Sequence, residues 1–463
     1  MQRKESTVRT INILAAIVIT VLGSQAKAYE AHEWGTFTSL VGSNGKTQNG
    51  MYHEDEPLPD FVYDFGEFQG SRGGSVIFRP GDDCRPMRRD PYPCGSSATI
   101  KQSVVQSRRD CDPRREKGCV PYNFIEQNVI SQKMETPVIY FYSNARENES
   151  VRVNVQFPEG VVTESFPGPI ATSPLRTDAP IVANGNTTYE VEILREKTSW
   201  NIPYVEKGNI YGYARNAASN VIRSGNEFEK FIFYRGLGRF QPQIEINSQG
   251  SALSIVTSAQ SRPSAAFLVY VNSRGTAVGL DLSKQIQSHD QITVSEQLIE
   301  ELRGGCCFRP QEILSSRRLQ AALIESLDQS GLNRDEAVAM LDTWNRGYLT
   351  VPGLRLLYIL PRAEVDSILP VTMTPAPSVF ERAFVARVEV MLESDELGLL
   401  NRIEQQGSLF DYRSLGRFAE SMLRRVAEVA VEQGSSAATV HRIDRLILEA
   451  SGNSGTGTVS LVF

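Results

Sequence analysis

The chain has 463 residues, is 41% hydrophobic and 22% charged, and carries a formal net charge of -6. These are globular values. They exclude wholesale disorder, a collagen-like fibre and a multi-span membrane protein, and a pI of about 5.6 offers nucleic acid no global basic field. The length amounts to about three domains of chain. Six cysteines are too few for a bridge-held mini-scaffold, and only four histidines (His32, His53, His289, His441) are present for imidazole chemistry.

Residues 1–28 read as a Sec-type signal peptide. Arg3, Lys4 and Arg9 make a positive start, Ile11 to Gly23 is apolar, and Ala26-Lys27-Ala28 supplies small residues for a peptidase. The apolar run is short for a membrane span, and the rival reading is an uncleaved anchor. Cleavage would leave a chain starting at Tyr29. It removes a net +3, so the charge moves from -6 to -9. Export, to the periplasm or beyond, places the cysteines where thiols pair. Cys84 with Cys94 and Cys111 with Cys119 each flank a short Pro- and Arg-rich stretch. Two local disulfides are the economical reading, cross-pairing is the rival, and zinc is a sharper alternative lacking C-x-x-C spacing. Cys306 and Cys307 are adjacent, which suits a vicinal disulfide or a more distant partner.

After the Cys-bearing insert at 76–125, strand signals dominate. Val138 to Tyr142 is a continuous β-branched and aromatic run, as in a buried strand. Val151, Val153, Val155 and Phe157 alternate with polar residues, as do Tyr189, Val191 and Ile193, which predicts strands with one wet face. Further short strands are expected at 231–234, 244–246, 253–255, 267–271 and 278–282. Near residue 291 the period changes. Thr293 with Glu296, and Asn333 with Glu336, read as capping boxes, and Leu319, Leu323 and Leu327 recur every four residues. Phe418 to Ala430 and Val440 to Ala450 predict two more helices. Leu354 to Leu360 and Phe384 to Met391 suit either strands or buried helices. The expectation is an α+β protein: a β-sandwich-like region at 29–290, a helix-rich region at 291–450 and a Gly/Ser-rich tail at 451–463.

No complete catalytic motif is present. Leu40 stands where a phosphate loop needs its first glycine, and Thr36 stands where H-E-x-x-H needs its second histidine. Two polar clusters near the mature N-terminus, His32-Glu33 and His53-Glu54-Asp55, hold imidazoles and carboxylates that suit a divalent metal able to activate water. Neighbours on a strand diverge, however, so His32 packed under a sheet and His53 to Glu56 on a solvated turn is the simpler alternative. Glu135, an acid just before a buried strand, is a candidate general base. Its alternative role is to bond loop amides. His289 and His441 read as surface residues.

Binding is the other class. Trp34, Trp200 and Tyr204, with Tyr63, Phe65 and Phe68, fall in loop-like segments that could stack on sugars or meet another envelope protein. Arg88, Arg89, Arg114 and Arg115 make a local basic patch able to meet anionic envelope polymer, unless neighbouring aspartates neutralise it.

The segment Ala31 to Ser39, A-H-E-W-G-T-F-T-S, resembles the mature N-terminus of a family of uncharacterised exported bacterial proteins. Lys133 to Tyr142, Phe233 to Gly236, Pro352 to Arg362 and Thr374 to Pro377 also resemble segments of that family, so the likeness spans most of the mature chain. It implies export and carries over no catalytic residue or ligand. The leading expectation is an exported cell-envelope protein of binding or structural type. The alternative is a metal-dependent hydrolase using His32, Glu33, His53, Glu54 and Asp55. No nucleic-acid partner is expected, and no stable membrane span after signal removal.

Overall fold

The computed structural model describes residues 29–51, 53–54, 57–65, 72–73, 103–104, 106–108, 119–121, 130–173, 183–195, 201–258, 261–304 and 313–452. The signal segment, Asp55, Phe68, Trp200, Arg88, Arg89, Arg114, Arg115 and all six cysteine side chains lie outside that description, so the disulfide and basic-patch expectations concern residues not described. About 34% of the chain is helical and 36% strand, with sheets dominating the N-terminal half and helices the C-terminal end. It is an α+β fold.

The strands that matter are β1 (Glu30–Val41), β2 (Gln132–Tyr142), β3 (Glu149–Phe157), β4 (Gly160–Phe166), β5 (Gly185–Ile193), β6 (Phe231–Gly238), β7 (Gly353–Ile359) and β8 (Val379–Val390). The helices are α1 (Ser316–Gln329), α2 (Arg334–Leu349), α3 (Glu393–Gln406), α4 (Ala419–Glu432) and α5 (Ala437–Gly452). A ten-stranded sheet runs through the middle of the molecule, and its central strands lie in the order β4-β6-β2-β1-β8-β7. β1 pairs parallel with β8 and antiparallel with β2. Strand pairing therefore crosses residue 290, because β7 and β8 come from the helix-rich half. Both had been open between strand and helix. They are strands buried on both faces, which is why their sequences are apolar without alternation.

On one face of this sheet a second sheet, containing β3 and β5, packs through the alternating residues Val151, Val153, Val155, Tyr189 and Val191. The other face is covered by two helical lobes. One is α1 and α2, whose Leu319, Leu323, Met340 and Trp344 meet Trp34, Val138 and Phe233. The other is α3, α4 and α5, whose Ile403, Leu423, Val426 and Ile447 meet Leu40, Leu237 and Met391. Each lobe removes large aliphatic and aromatic side chains from water, at about 1.5–3 kcal/mol per fully buried side chain.

The Asn333/Glu336 capping box forms as expected. The one at Thr293 does not. Thr293 is paired opposite Ser254 in a strand, Gln291–Val294, and the following helix begins at Glu296 with the Ser295 hydroxyl accepting from the Leu298 N–H at 3.3 Å. A β-branched residue with a cross-strand partner extends the strand instead of capping the helix. Trp34, expected on a loop, lies within β1 with no exposed surface and packs near Tyr140.

Candidate functional site

The two lobes leave a gap between them, and the sheet beneath the gap is charged. On β6 the residues facing the lobes run Phe233, Arg235, Leu237. On β8 they run Val385, Arg387 and Glu389, with Met391 just past the strand's end. On β1 they run Trp34, Thr36, Thr38, Leu40. In each strand an apolar residue of the first lobe gives way to polar groups, then to an apolar residue of the second. Glu164 on β4, Glu135 and Lys133 on β2, and Arg355 on β7 extend this band across the sheet through the register pairs Arg235 with Glu164, Thr36 with Glu135, Thr38 with Arg387, and Arg355 with Glu389.

β2 contributes to the band only because it is bulged. The pairing of β1 with β2 shifts between Trp34 and Thr36, which sit opposite Val138 and Glu135. The extra residue lets Val138 and Glu135 share one face although they are three positions apart, where a regular strand would separate them. Thr136 lies in the bulge at φ +43°, and its buried hydroxyl has no partner among the described residues. A left-handed β-branched residue just before a proline is strained, and such strain needs support from its surroundings.

The carboxylates of the band are all bonded. Glu135 accepts from Arg417 Nη1 through Oε1 and from Thr38 Oγ1 at 2.8 Å through Oε2. Burial opposes its charge, but Arg417 and Arg387 outweigh burial and hold its carboxyl down to about 2. Glu54 bonds Lys133 through Oε1 and Arg235 Nη1 at 3.1 Å through Oε2. Glu389 Oε1 accepts from Arg387 Nε at 2.7 Å and faces Arg355 Nε at 3.1 Å. Glu164, half-buried and near Glu54, has its carboxyl pushed up, first by desolvation and then by the Glu54 charge. Among the described residues, five cations (Lys133, Arg235, Arg355, Arg387, Arg417) thus face three committed carboxylates, with Glu164, whose carboxyl is pushed up, beside them.

The donors are not all bonded. Arg387 has no exposed surface, yet its Nη1 and Nη2 have no hydrogen-bond partner among the described residues, and neither do Arg235 Nε and Trp344 Nε1. These residues line a partly open cavity of about 30 Å³ together with Glu54, Glu135, Ile210, Gly347, Arg417 and the end of α2. Gly347 leaves room here: a Cβ at that position would stand 2.7 Å from Arg387 Nη1. Phe418 fixes the plane of the site, with the guanidinium carbons of Arg387 and Arg417 at 5.3 and 4.8 Å from its ring centroid.

The sequence-derived candidates divide on this geometry. Glu54 and Glu135 come together in the cleft. Glu135 commits both carboxylate oxygens to Arg417 and Thr38. His53 lies beside the cleft, with Nε2 3.3 Å from Glu420 Oε2 and its carbonyl accepting from Lys133 Nζ at 3.3 Å. His32 faces the first lobe, where Nδ1 is 2.8 Å from Glu336 Oε2. Tyr142 donates to the other oxygen of Glu336 at 2.5 Å. Glu33 points to the opposite face of the sheet, bonded to Arg382 Nε at 2.5 Å and to the Tyr234 hydroxyl. Among the described residues no group of three or more His, Cys, Asp or Glu could hold a metal, so the proposed ligand set does not assemble there. Tyr204 is 83% exposed, as a loop aromatic should be, whereas Phe65 is buried. His289 and His441 are exposed. No helix among the described residues is long and apolar enough to cross a membrane.

Sequence reasoning passed over Arg235, Arg355, Arg387 and Arg417. For the first three a signal exists: a lone arginine inside a strand that is apolar on both faces, as in F-I-F-Y-R-G-L-G or A-F-V-A-R-V-E-V. A charge is rarely buried there unless it is paired or used. Compared with protein-family models, curated proteins and solved structures, the chain matches none.

Proposed function

We propose that this is an exported binding protein of the cell envelope and that its ligand enters the cleft between the two helical lobes, over the charged band of the central sheet. The observation that carries this reading is the surplus of donors. A fully buried arginine with both terminal nitrogens unpartnered is costly to fold, and a ligand that bonds it recovers the cost on binding. The left-handed Thr136 that aims Glu135 into the same cleft agrees with it. The signal-like residues 1–28 support export.

The test has two parts. N-terminal sequencing of the secreted protein should begin at Tyr29, and retention of residues 1–28 would speak against export. A melting-shift screen of envelope components and small metabolites should yield stabilising compounds whose effect disappears in Arg387→Met. Compounds that stabilise both proteins equally would place the ligand outside the cleft.

A further inference from the structure

Resting on the reading of the cleft as a ligand site, we propose that it recognises a carboxylate, gripped end-on by Nη1 and Nη2 of Arg387. The four oxygens of the two carboxylates that line the cavity, Glu54 and Glu135, already have partners. The lining therefore offers a newcomer no unused side-chain carboxylate oxygen. What it offers is donors: both terminal nitrogens of Arg387, with Arg235 Nε and Trp344 Nε1 around them. A group that only accepts fits that inventory, and a group with N–H or O–H donors of its own does not.

Charge points the same way. Four arginines (Arg235, Arg346, Arg387, Arg417) and two glutamates line the cavity. Both glutamates face this surplus already bonded, so the added group is drawn by the cationic excess in a water-poor site.

Size and shape select within anions. The cavity of about 30 Å³ has room for about two water-sized atoms. The inner part of this partly open space matches the two oxygens that a carboxylate presents. Arg387 presents a fork to match. Its Nε is committed to Glu389 at 2.7 Å and its plane is held against Phe418, so the Nη1–Nη2 edge is left at a fixed angle. Two parallel N–H donors on a planar cation pair naturally with two oxygens on a planar anion. Gly347 keeps that edge clear.

The experiment measures binding of acetate to the purified protein by calorimetry at constant ionic strength, with acetamide, phosphate and sulfate as comparison probes. Two variants accompany the wild type. Gly347→Ala places a methyl against Nη1 at a helical position where alanine is well tolerated, so it folds. Arg387→Lys keeps the charge and loses the fork. Acetate should bind one-to-one, at least tenfold more tightly than acetamide, phosphate or sulfate, and each variant should lose at least tenfold. Tighter binding of phosphate or sulfate, or equal binding of acetamide, overturns the carboxylate assignment while leaving the cleft as the site if Arg387→Lys abolishes it. Unchanged acetate affinity in Gly347→Ala overturns the end-on geometry. If no probe binds, the assignment fails, and the Arg387→Met compound screen alone then decides the cleft reading.

Discussion

Arg355 and Arg387 sit on adjacent strands of one sheet, both with no exposed surface and both facing the same Glu389 oxygen. Beyond that shared carboxylate they differ. Arg355 Nη1 donates to the carbonyls of Gly347 at 2.5 Å and Tyr348 at 2.9 Å, and Nη2 donates to that of Val351 at 2.6 Å. It fastens the last turn of α2 to the sheet. The corresponding nitrogens of Arg387 have no hydrogen-bond partner among the described residues and face a cavity. Burial even pulls Arg355 down to about 10, with Arg387 as a like charge adding to the effect against Glu389. The same residue type, at the same depth, is structural where its donors are consumed and available where they are not. Burial alone therefore does not mark a binding residue; the hydrogen-bond account of each nitrogen does.

The comparison can be broken from the carboxylate side first. Glu135 lines the cavity, yet both its oxygens are bonded like those of a structural residue. Glu135→Gln removes the ion that balances Arg417 and Arg387, and should cost about 3 kcal/mol or more at pH 7 in urea unfolding. Its folded-state pKa is depressed to about 2 from 4.5, so its contribution is present above pH 4.5 and is lost as pH falls toward 2. The gap between wild type and variant should close over that interval. A variant as stable as wild type at pH 7 would mean the band tolerates a larger cationic surplus than described here.

A smaller effect concerns the far end of the first lobe, where β1 meets the start of α2. Burial disfavours charge on His32, yet the hydrogen bond and charge of Glu336 together with Glu381 and Glu30 outweigh it, and its pKa is raised above 6.5. Because the folded state holds the proton more tightly, this stabilisation is complete below pH 6.5 and is lost as pH rises through the raised value. The network also caps α2, since the Asn333 N–H donates to Glu336 Oε2 at 2.7 Å. His32→Gln should lower stability by about 1–2 kcal/mol at pH 5.5 and by less at pH 9. A pH-independent difference would exclude the charged pair.

The smallest effect is a gain. Thr136→Gly should stabilise the protein by about 1 kcal/mol, since glycine accepts φ +43° and no hydroxyl is left unpartnered. A loss would show that the threonine methyl or hydroxyl holds the bulge.

Much of the frame was legible in sequence. The alternation at 151–157 and 189–193, the Asn333/Glu336 cap and the four-residue leucine repeat each reflect local rules, and each appears in the fold. The cleft was not legible, because it is made by pairing. Arg235, Thr38, Arg387 and Arg355 are scattered over the chain and become neighbours only through β-sheet register, while Glu135 needs a bulge that no local pattern announces.

The division of labour between the two arginines is tested most directly by ligand-free unfolding of Arg355→Met and Arg387→Met side by side. Each variant leaves Glu389 one arginine, so the difference isolates the remaining donors. Arg355→Met should be less stable than Arg387→Met by about 2–3 kcal/mol, the worth of bonds from a charged donor to three buried carbonyls. Equal losses, or a larger loss for Arg387→Met, would contradict the account by making Arg387 a structural residue.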